Sequence, residues 1–438
     1  MLLNETHDPA LRSWVQSANA PEADFPIQNL PLAAFRTRQE RQFRIGAAIG
    51  DQILDLSHPN VAALLEPGVA RACRDPVLNE LMALGPAAWS HLRLNLSRAL
   101  RAGSDQQDRI ATALIAQDRA QYGLPARIGD FTDFYTSIHH ATAVGRLLRP
   151  EQPLLPNYKW IPIAYHGRAS SVRVSGEEVT RPAGQIKLPG SETPVVTASR
   201  KLDYEVELGV FVGVGNPLAQ PIPIEEAWNH VFGVVLLNDW SARDIQAWEY
   251  QPLGPFLSKS FATTISPWVV GEEALRPFRR AWTRPQQDPQ PLPYLQDPQD
   301  QANGALDIVL EATIVTTAMR AEGQPAALLS RASCRHAYWT IAQMVAHHTV
   351  NGCNLVAGDL LGTGTQSGPG AAEAGSLIEL TAGGREPLML PNDERRAFLE
   401  DGDEICLRGY CEREGFVRTG LGTATGRILP GAPPMNPG

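Results

Sequence analysis

Cysteine is scarce in this sequence, and no cysteines are spaced as a metal-binding or redox pair. The five cysteines form no Cys-x-x-Cys motif and are an odd number scattered over 438 residues: Cys73, Cys334, Cys353, Cys406 and Cys411. This spacing is typical of reduced, mostly buried thiols. It argues against a disulfide framework and against a zinc knuckle.

Motifs for a covalent nucleophile are also missing. The sequence contains no Gly-x-Ser-x-Gly elbow, no His-Glu-x-x-His and no phosphate-binding P-loop, and "GTQSG" at 364–368 has the wrong spacing for an elbow. The glycine-rich "GLGTATG" at 420–426 lies too near the end of the chain to complete a dinucleotide-binding βαβ unit. It predicts a turn between strands instead.

Runs of basic residues and long apolar runs are absent as well. The formal net charge is −9 and only four of the 38 basic residues are lysine, which argues against a nucleic-acid or anionic-membrane partner and favours a small-molecule ligand. No stretch approaches the ~18 apolar residues of a membrane span. The first 25 residues lack a basic region leading into an apolar one. We therefore expect a cytoplasmic protein.

The composition is that of a globular chain of more than one domain. Hydrophobic residues make up 43% and charged residues 19%, and the length predicts two or three domains, or one large β domain with a smaller partner. The N-terminal part combines a hairpin signal at Gly50-Asp51 with helical patterns over 75–85 and 105–123.

A domain boundary is predicted near residues 122–130. Gly123 and Pro125 there would break the helical pattern before them. We accordingly expect an accessory domain over 1–122 and a second domain over 123–438.

The second part of the chain is rich in strand patterns. Strands are predicted for "SSVRVSG", "YEVELGVFVG", "HVFGVVLLND", "ALDIVLEATIV", "GSLIELTAGG" and "DEICLRGY". One long helix is predicted over 340–352, capped by Asn351-Gly352. Residues 283–300 have too much Pro and Gln for a regular element and predict an ordered excursion or a mobile loop. Residues 430–438 predict a disordered tail.

The strand pattern at 202–213 places Glu205 and Glu207 on one side, opposite an apolar face. Residues i and i+2 of a strand lie roughly 7 Å apart on one face, so the two carboxylates repel unless water or a cation lies between them. The face is therefore either solvated or holds a metal. The strand alone favours the solvated alternative.

A second acidic signal is Asp239, which ends the buried strand pattern "HVFGVVLLND". By itself it fits a turn cap better than a ligand. The residues after it place Arg243, Gln246, Tyr250 and Lys259 among apolar side chains and prolines. Polar groups in apolar surroundings are costly unless they meet one another, a metal or a ligand.

A third cluster lies in "IGDFTDFYTSIHHATAVG". Its polar candidates are Asp130, Asp133, Tyr135, His139 and His140. Adjacent histidines cannot both face one site on a strand or helix, so His139 is interpreted as a surface or satisfied core residue. His347 and His348, in the long helical pattern, are interpreted as structural because they have no acidic neighbours.

Several long segments together resemble the fumarylacetoacetase family, essentially from end to end. They are "IGDFTDFYTSIHHATAVG", "YHGRASS", "LDYEVEL", "LNDWSARDIQAWEYQPLGPFLSKSFATTISPWVV" and "HHTVNGCNLVAGDLLGTGT". The resemblance implies hydrolysis of a carbon–carbon bond of 4-fumarylacetoacetate to fumarate and acetoacetate, the last step of tyrosine and phenylalanine degradation. It also implies a homodimer and a fold that is mainly β with α (α+β): a small N-terminal SH3-like barrel before a large mixed β-sandwich or roll.

A metal site is part of what the resemblance implies. Its calcium ligands correspond to Asp133, Glu205, Glu207 and Asp239, and magnesium would lie near Asp239, Lys259 and Thr263. An ammonium cannot ligate a cation, so Lys259 would contribute its backbone carbonyl. Carboxylate oxygens suit Ca²⁺ or Mg²⁺ and are a poor site for zinc.

The resemblance also assigns catalytic roles. His140 corresponds to the proton acceptor and Glu379 to the carboxylate that orients it, a pairing that lets a neutral imidazole deprotonate water. Arg243, Gln246 and Lys259 correspond to donors that stabilise the alkoxide. An alternative for Arg243 is a salt bridge to Asp244 or Glu249. The implied substrate contacts are Tyr135, Arg149, Tyr165, Gln246, Tyr250 and Thr365.

The chain departs from the family pattern in two places, and two other functions compete. Ser258 stands where a glycine is expected before the lysine, and the loop over 366–375 differs in sequence and length, which bears on Thr365 and on substrate tolerance.

A related acylpyruvate hydrolase or oxo-acid decarboxylase would share the acidic site and the enolate chemistry. A noncatalytic protein braced by calcium would share the carboxylates but not the residues around His140.

Overall fold

The structure, a computed structural model, describes residues 3–431, so the tail predicted at 430–438 lies almost wholly outside the described residues. The N-terminal strands are β1 (Leu32–Thr37), β2 (Arg44–Ile49), β3 (Gln52–Asp55), β4 (Leu114–Ala116) and β5 (Ala120–Tyr122). They form one antiparallel sheet in the order β4-β3-β2-β1-β5, as expected of an SH3-like unit. The helices beside it are α1 (Pro59–Ala62), α2 (Pro67–Ala72), α3 (Asn79–Met82), α4 (Pro86–Leu100) and α5 (Gln107–Ile110).

The predicted hairpin at Gly50-Asp51 is confirmed, but the helix predicted over 105–123 is wrong. Only its first part is helical, and its second part forms β4 and β5, the two edges of the sheet. Tertiary pairing overrides helix propensity here, because Ile115 and Tyr122 pack on a small core behind the sheet. Gly123 and Pro125 therefore follow a strand rather than a helix.

The larger part of the chain contains the remaining strands. They are β6 (Phe131–Phe134), β7 (Ala164–Gly167), β8 (Val172–Val174), β9 (Val179–Thr180), β10 (Ala183–Ile186), β11 (Val195–Ala198), β12 (Leu202–Asp203), β13 (Val206–Val212), β14 (Val231–Asp239), β15 (Ser241–Ala242), β16 (Thr263–Ile265), β17 (Val270–Gly271), β18 (Arg279–Arg280), β19 (Ala305–Leu306), β20 (Val309–Val315), β21 (Ala327–Ser333), β22 (Leu360–Gly362), β23 (Leu388–Met389), β24 (Arg395–Arg396), β25 (Glu404–Cys411) and β26 (Thr419–Leu429).

Helices are few in this part and mostly short. They are α6 (Ile138–Leu148), α7 (Arg243–Glu249), α8 (Glu272–Leu275), α9 (Pro298–Asn303), α10 (Thr317–Glu322), α11 (Ile341–Thr349) and α12 (Leu377–Leu380). Short 3₁₀ helices occur throughout the described chain, at Glu5–His7, Gln16–Asn19, Ala111–Ala113, Gln117–Arg119, Ala169–Ser171, Ile224–His230, Arg276–Phe278, Pro293–Leu295, Cys334–His336 and Ala371–Glu373.

Two large sheets enclose the main core. An eight-stranded sheet has the order β7-β6-β22-β13-β14-β16-β8 with β17 paired to β14, and a five-stranded sheet has the order β21-β20-β25-β26-β9. The apolar side predicted for 202–213 is confirmed, because Tyr204, Val206, Leu208 and Val210 belong to this core. The predicted fold class, mainly β with α, is confirmed. The domain division at residue 122 stays a prediction.

The opposite side of the eight-stranded sheet packs on the N-terminal part. Phe211 of β13 and Val235 of β14 are fully buried in a second core that contains residues of α3 and α4. The two parts of the chain therefore share a core across this sheet face.

Two predicted elements in the second part are wrong. "GSLIELTAGG" is not a strand, because residues Leu377–Leu380 form α12, whose first backbone N–H groups are bound by the carboxylate of Asp203. The segment 420–426 is not a turn but lies inside β26. Its glycines allow close packing, since a Cβ on Gly426 would lie 2.6 Å from the Trp240 ring.

Other predicted elements have their expected form. The long helix is confirmed as α11, although it ends at Thr349 and the left-handed Gly352 (φ +89°) comes three residues later. Of the two alternatives for 283–300, the ordered excursion is confirmed: the Arg284 guanidinium stacks on the rings of Tyr338 and Trp339 at 4.3 and 4.2 Å. The five cysteines are free thiols and three of them are buried.

Candidate active site

A cavity of about 580 Å³ opens beside the end of β6 and the starts of β13 and α7. Twelve of the fifteen residues to which the resemblance assigns a role line it: Asp133, Tyr135, His140, Arg149, Tyr165, Glu205, Glu207, Arg243, Gln246, Tyr250, Lys259 and Thr365. The other three, Asp239, Thr263 and Glu379, lie behind its wall, each bonded to another of these fifteen.

Three carboxylates meet at one end of the cavity. Asp133, Glu207 and Asp239 each present an oxygen within 4.8 Å of the others, and all three side chains are buried. Three strands of the eight-stranded sheet supply them: β6, β13 and the end of β14, with β22 lying between β6 and β13. The solvated face that the strand alone favoured for Glu205 and Glu207 is therefore wrong, because both side chains are buried.

Two glycines, one at the end of β22 and one in the loop after it, make room for this cluster. A Cβ on Gly362 would lie 2.4 Å from Asp133 Oδ1, so only glycine fits beside the carboxylate. Gly364, in the left-handed region at φ +73°, donates its backbone N–H to Asp133 Oδ1 at 3.2 Å and to Glu207 Oε2 at 3.0 Å.

The cluster fits a hard divalent cation. Burial raises the pKa of Asp133 and of Glu207 well above their usual range, and the neighbouring carboxylates raise both further. Glu207 Oε1 is buried and has no hydrogen-bond partner among residues 3–431. An unpartnered buried oxygen among like charges is costly unless a cation binds there, and an all-oxygen donor set suits Ca²⁺ or Mg²⁺.

Glu205 differs from Glu207 because protein cations surround it. Its carboxylate accepts from Arg243 Nη2 at 2.7 Å and from the Lys259 ammonium. Burial raises the pKa of Glu205, but the charges of Lys259 and Arg243 outweigh it and hold the pKa well below its usual range. The role of Glu205 as a metal ligand stays a prediction.

Lys259 connects Glu205 to the acidic cluster. Its ammonium also binds Asp239 Oδ2 at 2.5 Å, an oxygen that accepts from the Tyr165 hydroxyl at 2.7 Å as well. Burial lowers the pKa of Lys259, but Asp239 and Glu205 outweigh it and raise the pKa. Thr263 pairs with Asp239 in the sheet and points its hydroxyl at the same carboxylate, 3.4 Å away.

His140 lies in the first turn of α6 and is bound to Glu379 of α12. Its Nδ1 donates to Glu379 Oε2 at 2.6 Å, and its Nε2 faces Glu205 Oε1 at 3.5 Å. The carboxylate can only accept, so the neutral imidazole carries its proton on Nδ1 and leaves Nε2 free to accept. The Tyr135 ring packs edge-on against the imidazole at 5.3 Å.

Two serines that sequence reasoning missed also bind Glu379. Ser376 and Ser367 donate their hydroxyls to the same Oε2, at 2.6 and 3.1 Å. Burial raises the pKa of Glu379, but His140 and these hydroxyls outweigh it and lower the pKa. Ser367 belongs to the atypical loop at 366–375, so that loop contacts the His140–Glu379 pair directly.

Asp203 is the other site residue that sequence reasoning missed. It is fully buried and binds Arg243 Nε through its Oδ2 at 2.8 Å. The signal was available, because Asp203 precedes Glu205 by two residues and continues its alternation along the strand. The salt bridge suggested for Arg243 with Asp244 or Glu249 is wrong, since Arg243 pairs with Asp203 and Glu205.

The remaining predicted residues supply polar atoms to the cavity wall. Arg149 Nε and Thr365 Oγ1 are buried without a hydrogen-bond partner in the described chain. Gln246 accepts from Arg243 Nη1 at 3.1 Å and Tyr250 accepts from Gln251 at 3.0 Å. Ser258 is fully buried, and its backbone N–H donates to Glu249 at 2.8 Å.

Other histidines lie outside the cavity. The half-buried His139 ring packs edge-on against His336 at 6.2 Å. In α11, His347 shares a hydrogen bond with the Tyr294 hydroxyl and His348 with that of Thr132. Asp130 is exposed at the start of β6. These contacts agree with the structural interpretation of His347 and His348.

Comparison with known proteins identifies the family. A model described as fumarylacetoacetate (FAA) hydrolase C-terminal matches residues 131–429, and one described as fumarylacetoacetase N-terminal matches residues 28–125. The fumarylacetoacetases of Bos taurus and Homo sapiens are each 48% identical to the chain, over 94% of its length and 97% of theirs. The chain belongs to the fumarylacetoacetase family.

Membership in the fumarylacetoacetase family makes the chain an enzyme, a hydrolase. A solved structure of a fumarylacetoacetate hydrolase from Exiguobacterium antarcticum is 17% identical and has a TM-score of 0.50, covering 91% of this chain and 99% of its own. At that identity the likeness shows the fold. No helix within residues 3–431 is long and apolar enough to cross a membrane.

Proposed function

We propose that this chain hydrolyses 4-fumarylacetoacetate to fumarate and acetoacetate by attack of a water that His140 activates. One observation carries the proposal: His140, two members of the buried carboxylate cluster and two buried cations, Arg243 and Lys259, line a single cavity, with Glu379 and Asp239 directly behind its wall. Relatives named fumarylacetoacetase that match almost the whole chain support it.

His140 is the base in this mechanism. With Nδ1 held by Glu379, the free Nε2 removes a proton from water, and the hydroxide attacks the ketone carbon next to the double bond of the substrate. Burial lowers the pKa of His140, but Glu379 and Glu205 outweigh it and raise the pKa to about 9. The fraction of His140 in the neutral form, which can accept a proton, therefore increases as the pH rises towards 9.

The developing alkoxide is stabilised by donors of the cavity wall. Arg243, Gln246 and Lys259 are the candidates, and donors of this kind each contribute about 10²- to 10³-fold in rate. When the alkoxide collapses, the carbon–carbon bond breaks and its electron pair leaves as the enolate of acetoacetate. The imidazolium of His140 returns its proton to the terminal carbon of that enolate, and the acyl half leaves as fumarate once its new carboxyl group has lost its proton to solvent.

The acidic cluster would hold Ca²⁺ or Mg²⁺ through Asp133, Glu207 and Asp239, with Glu205 and Thr263 beside it. Bound there, the cation would supply positive charge to the oxygens of the substrate's 1,3-diketone. Arg149 is suited to a substrate carboxylate, because its buried Nε has no other partner among the described residues. Tyr135, Tyr165, Tyr250 and Thr365 complete the proposed substrate contacts.

The same proposal extends to the setting of the enzyme. We infer a cytoplasmic homodimer that acts in tyrosine and phenylalanine degradation, with an accessory domain over 1–122 and a catalytic domain over 123–438.

The test is incubation of the purified protein with fumarylacetoacetate while the absorbance of the diketone is followed. We expect loss of absorbance that stops with chelator and returns on adding Ca²⁺ or Mg²⁺. Preference for acylpyruvates over fumarylacetoacetate in a panel of diketo acids would favour the related hydrolase instead. Metal binding with no turnover of any diketo acid would favour a protein that is only braced by calcium.

A further inference from the structure

We infer that Asp203 is a positioning residue, which holds the Arg243 guanidinium and the helix that carries Glu379 in one fixed arrangement. The inference deepens the proposed function and rests on it. Asp203 does not line the cavity; it acts through two groups that do the chemistry.

The contacts of Asp203 use both of its oxygens fully. Oδ1 accepts from the backbone N–H of Tyr204 at 2.8 Å and of Leu377 at 2.7 Å. Oδ2 accepts from the backbone N–H of Ile378 at 3.0 Å and from Arg243 Nε at 2.8 Å. A carboxylate has about four acceptor sites, so these four donors saturate it.

Two of these donors belong to the first turn of α12. Glu379 is the next residue after Ile378, and its carboxylate holds His140 Nδ1. A four-residue helix has little stability of its own, so its place is set by tertiary contacts. By binding the two N–H groups before Glu379, Asp203 fixes where that carboxylate meets the imidazole.

The other link fixes Arg243. Its guanidinium is shared between Asp203 on one edge and Glu205 on another. Without Asp203, the guanidinium would keep one acidic partner among residues 3–431, Glu205, so Arg243 would turn towards the carboxylates and away from the substrate. Asp203 therefore couples the alkoxide donor to the base through one buried side chain.

An asparagine cannot replace this carboxylate, although it has the same shape. In one orientation its amide NH₂ would face Arg243 Nε and the Ile378 N–H, and in the other it would face the N–H groups of Tyr204 and Leu377. Either way two donors point at a donor: the first orientation loses Arg243 and the Ile378 bond to α12, and the second keeps Arg243 but loses the Leu377 bond to α12.

The experiment compares Asp203→Asn with a matched control, Asp403→Asn. Asp403 is also buried (1% exposed), binds Arg396 through both oxygens at 2.9 and 3.1 Å and accepts one backbone N–H, but neither Arg396 nor Glu400 lines the cavity. We expect both variants to lower the melting temperature. Only Asp203→Asn should lower kcat, by about 10- to 100-fold, with KM changed less than about threefold.

A double-mutant cycle separates positioning from general destabilisation. Combining Asp203→Asn with Glu379→Gln should cost less in kcat than the product of the two separate losses, because both act on the orientation of His140. Asp403→Asn combined with Glu379→Gln should give the full product.

Each result decides the inference. A kcat of Asp203→Asn within about threefold of the wild type, or losses that multiply with those of Glu379→Gln, would overturn it. If Asp203→Asn does not fold, Asp203→Ser is judged by the same kcat criterion. An inactive wild type would instead reject the proposed function, so the two failures are distinguishable.

Discussion

At the scale of single residues, Glu205 and Glu207 lie two positions apart, yet their surroundings are opposite. Glu205 is paired with Lys259 and Arg243, whereas Glu207 lies between the like charges of Asp133 and Asp239. We predict that Glu207→Gln raises the melting temperature of the chelator-treated protein, because it removes a costly buried charge, and weakens Ca²⁺ binding at least about tenfold.

Glu205→Gln is the matched control for that prediction. It leaves two buried cations short of a partner, so the chelator-treated protein should melt at a lower temperature than the wild type. Thermal melts and calorimetric Ca²⁺ titrations of both variants provide the check. A fall in melting temperature for both would show that the cluster is not repulsive without metal.

The His140–Glu379 pair gives a second prediction at this scale. The Glu379 charge is among the causes that raise the pKa of His140 to about 9, so the wild-type activity should rise with pH up to that region. Glu379→Gln removes the charge. The acidic limb of its kcat/KM profile should therefore move to lower pH, with a lower plateau because the base is weaker and less well oriented. An unchanged acidic limb would contradict this, as would activity retained in His140→Ala.

Which site residues could be predicted from the sequence depended on local pattern. Alternation on one strand revealed Glu205 and Glu207, and the resemblance to the family supplied His140 and Glu379. That Glu205 is ion-paired and Glu207 is not could not be predicted, because it depends on where Lys259 and Arg243, which belong to other elements, place their charged groups. Ser367 was missed because nothing local indicates which way its hydroxyl points.

At the scale of elements, strands with long alternating patterns such as β20 and β25 were predictable, and short elements were not. Residues Leu377–Leu380 read as a strand because Leu377, Ile378 and Leu380 are apolar, but their helical turn is fixed by Asp203, 174 residues earlier. The segments of β4 and β5 were predicted as helix because the strands that pair with them lie about 60 to 90 residues earlier in the chain, outside any local pattern.

Helices α9 and α11 meet at one buried carboxyl group, which predicts a pH-dependent stability. Asp300, in the first turn of α9, accepts from Thr340, the N-cap residue of α11, and burial raises the pKa of Asp300 to about 6. The folded protein favours the protonated form of Asp300. The contribution of this group to the free energy of unfolding is therefore fully present below about pH 4, the pKa of Asp300 in the unfolded chain, and is lost as the pH rises through 6.

Asp300→Asn should therefore stabilise the protein at pH 8, by up to about 3 kcal/mol, and change little at pH 4. The measurement is the melting temperature of wild type and variant at the two pH values. Asp297→Asn, at the N-cap of the same helix, keeps a good cap and should change the stability by less than about 0.5 kcal/mol at pH 8. A stabilisation of Asp300→Asn that is equal at both pH values would contradict the assigned cause.

At the scale of the whole molecule, the eight-stranded sheet has a core on each face. One face packs on the five-stranded sheet, and the other packs on the N-terminal part, where Phe232 of β14 meets Trp89 of α4 edge to face at 5.2 Å. Because the two parts share this core, we predict that the protein unfolds in one calorimetric transition rather than two.

Phe232→Ala should lower the free energy of unfolding by about 3 to 5 kcal/mol, and the protein should still unfold in one transition. Phe232 faces away from the cavity, so kcat of the folded variant should remain that of the wild type. Leu328→Ala, at an exposed apolar residue, is the control and should change the stability by less than about 0.5 kcal/mol. Two separate transitions in Phe232→Ala, with activity lost only in the second, would show that the parts fold independently and that the shared face contributes little to their cooperativity.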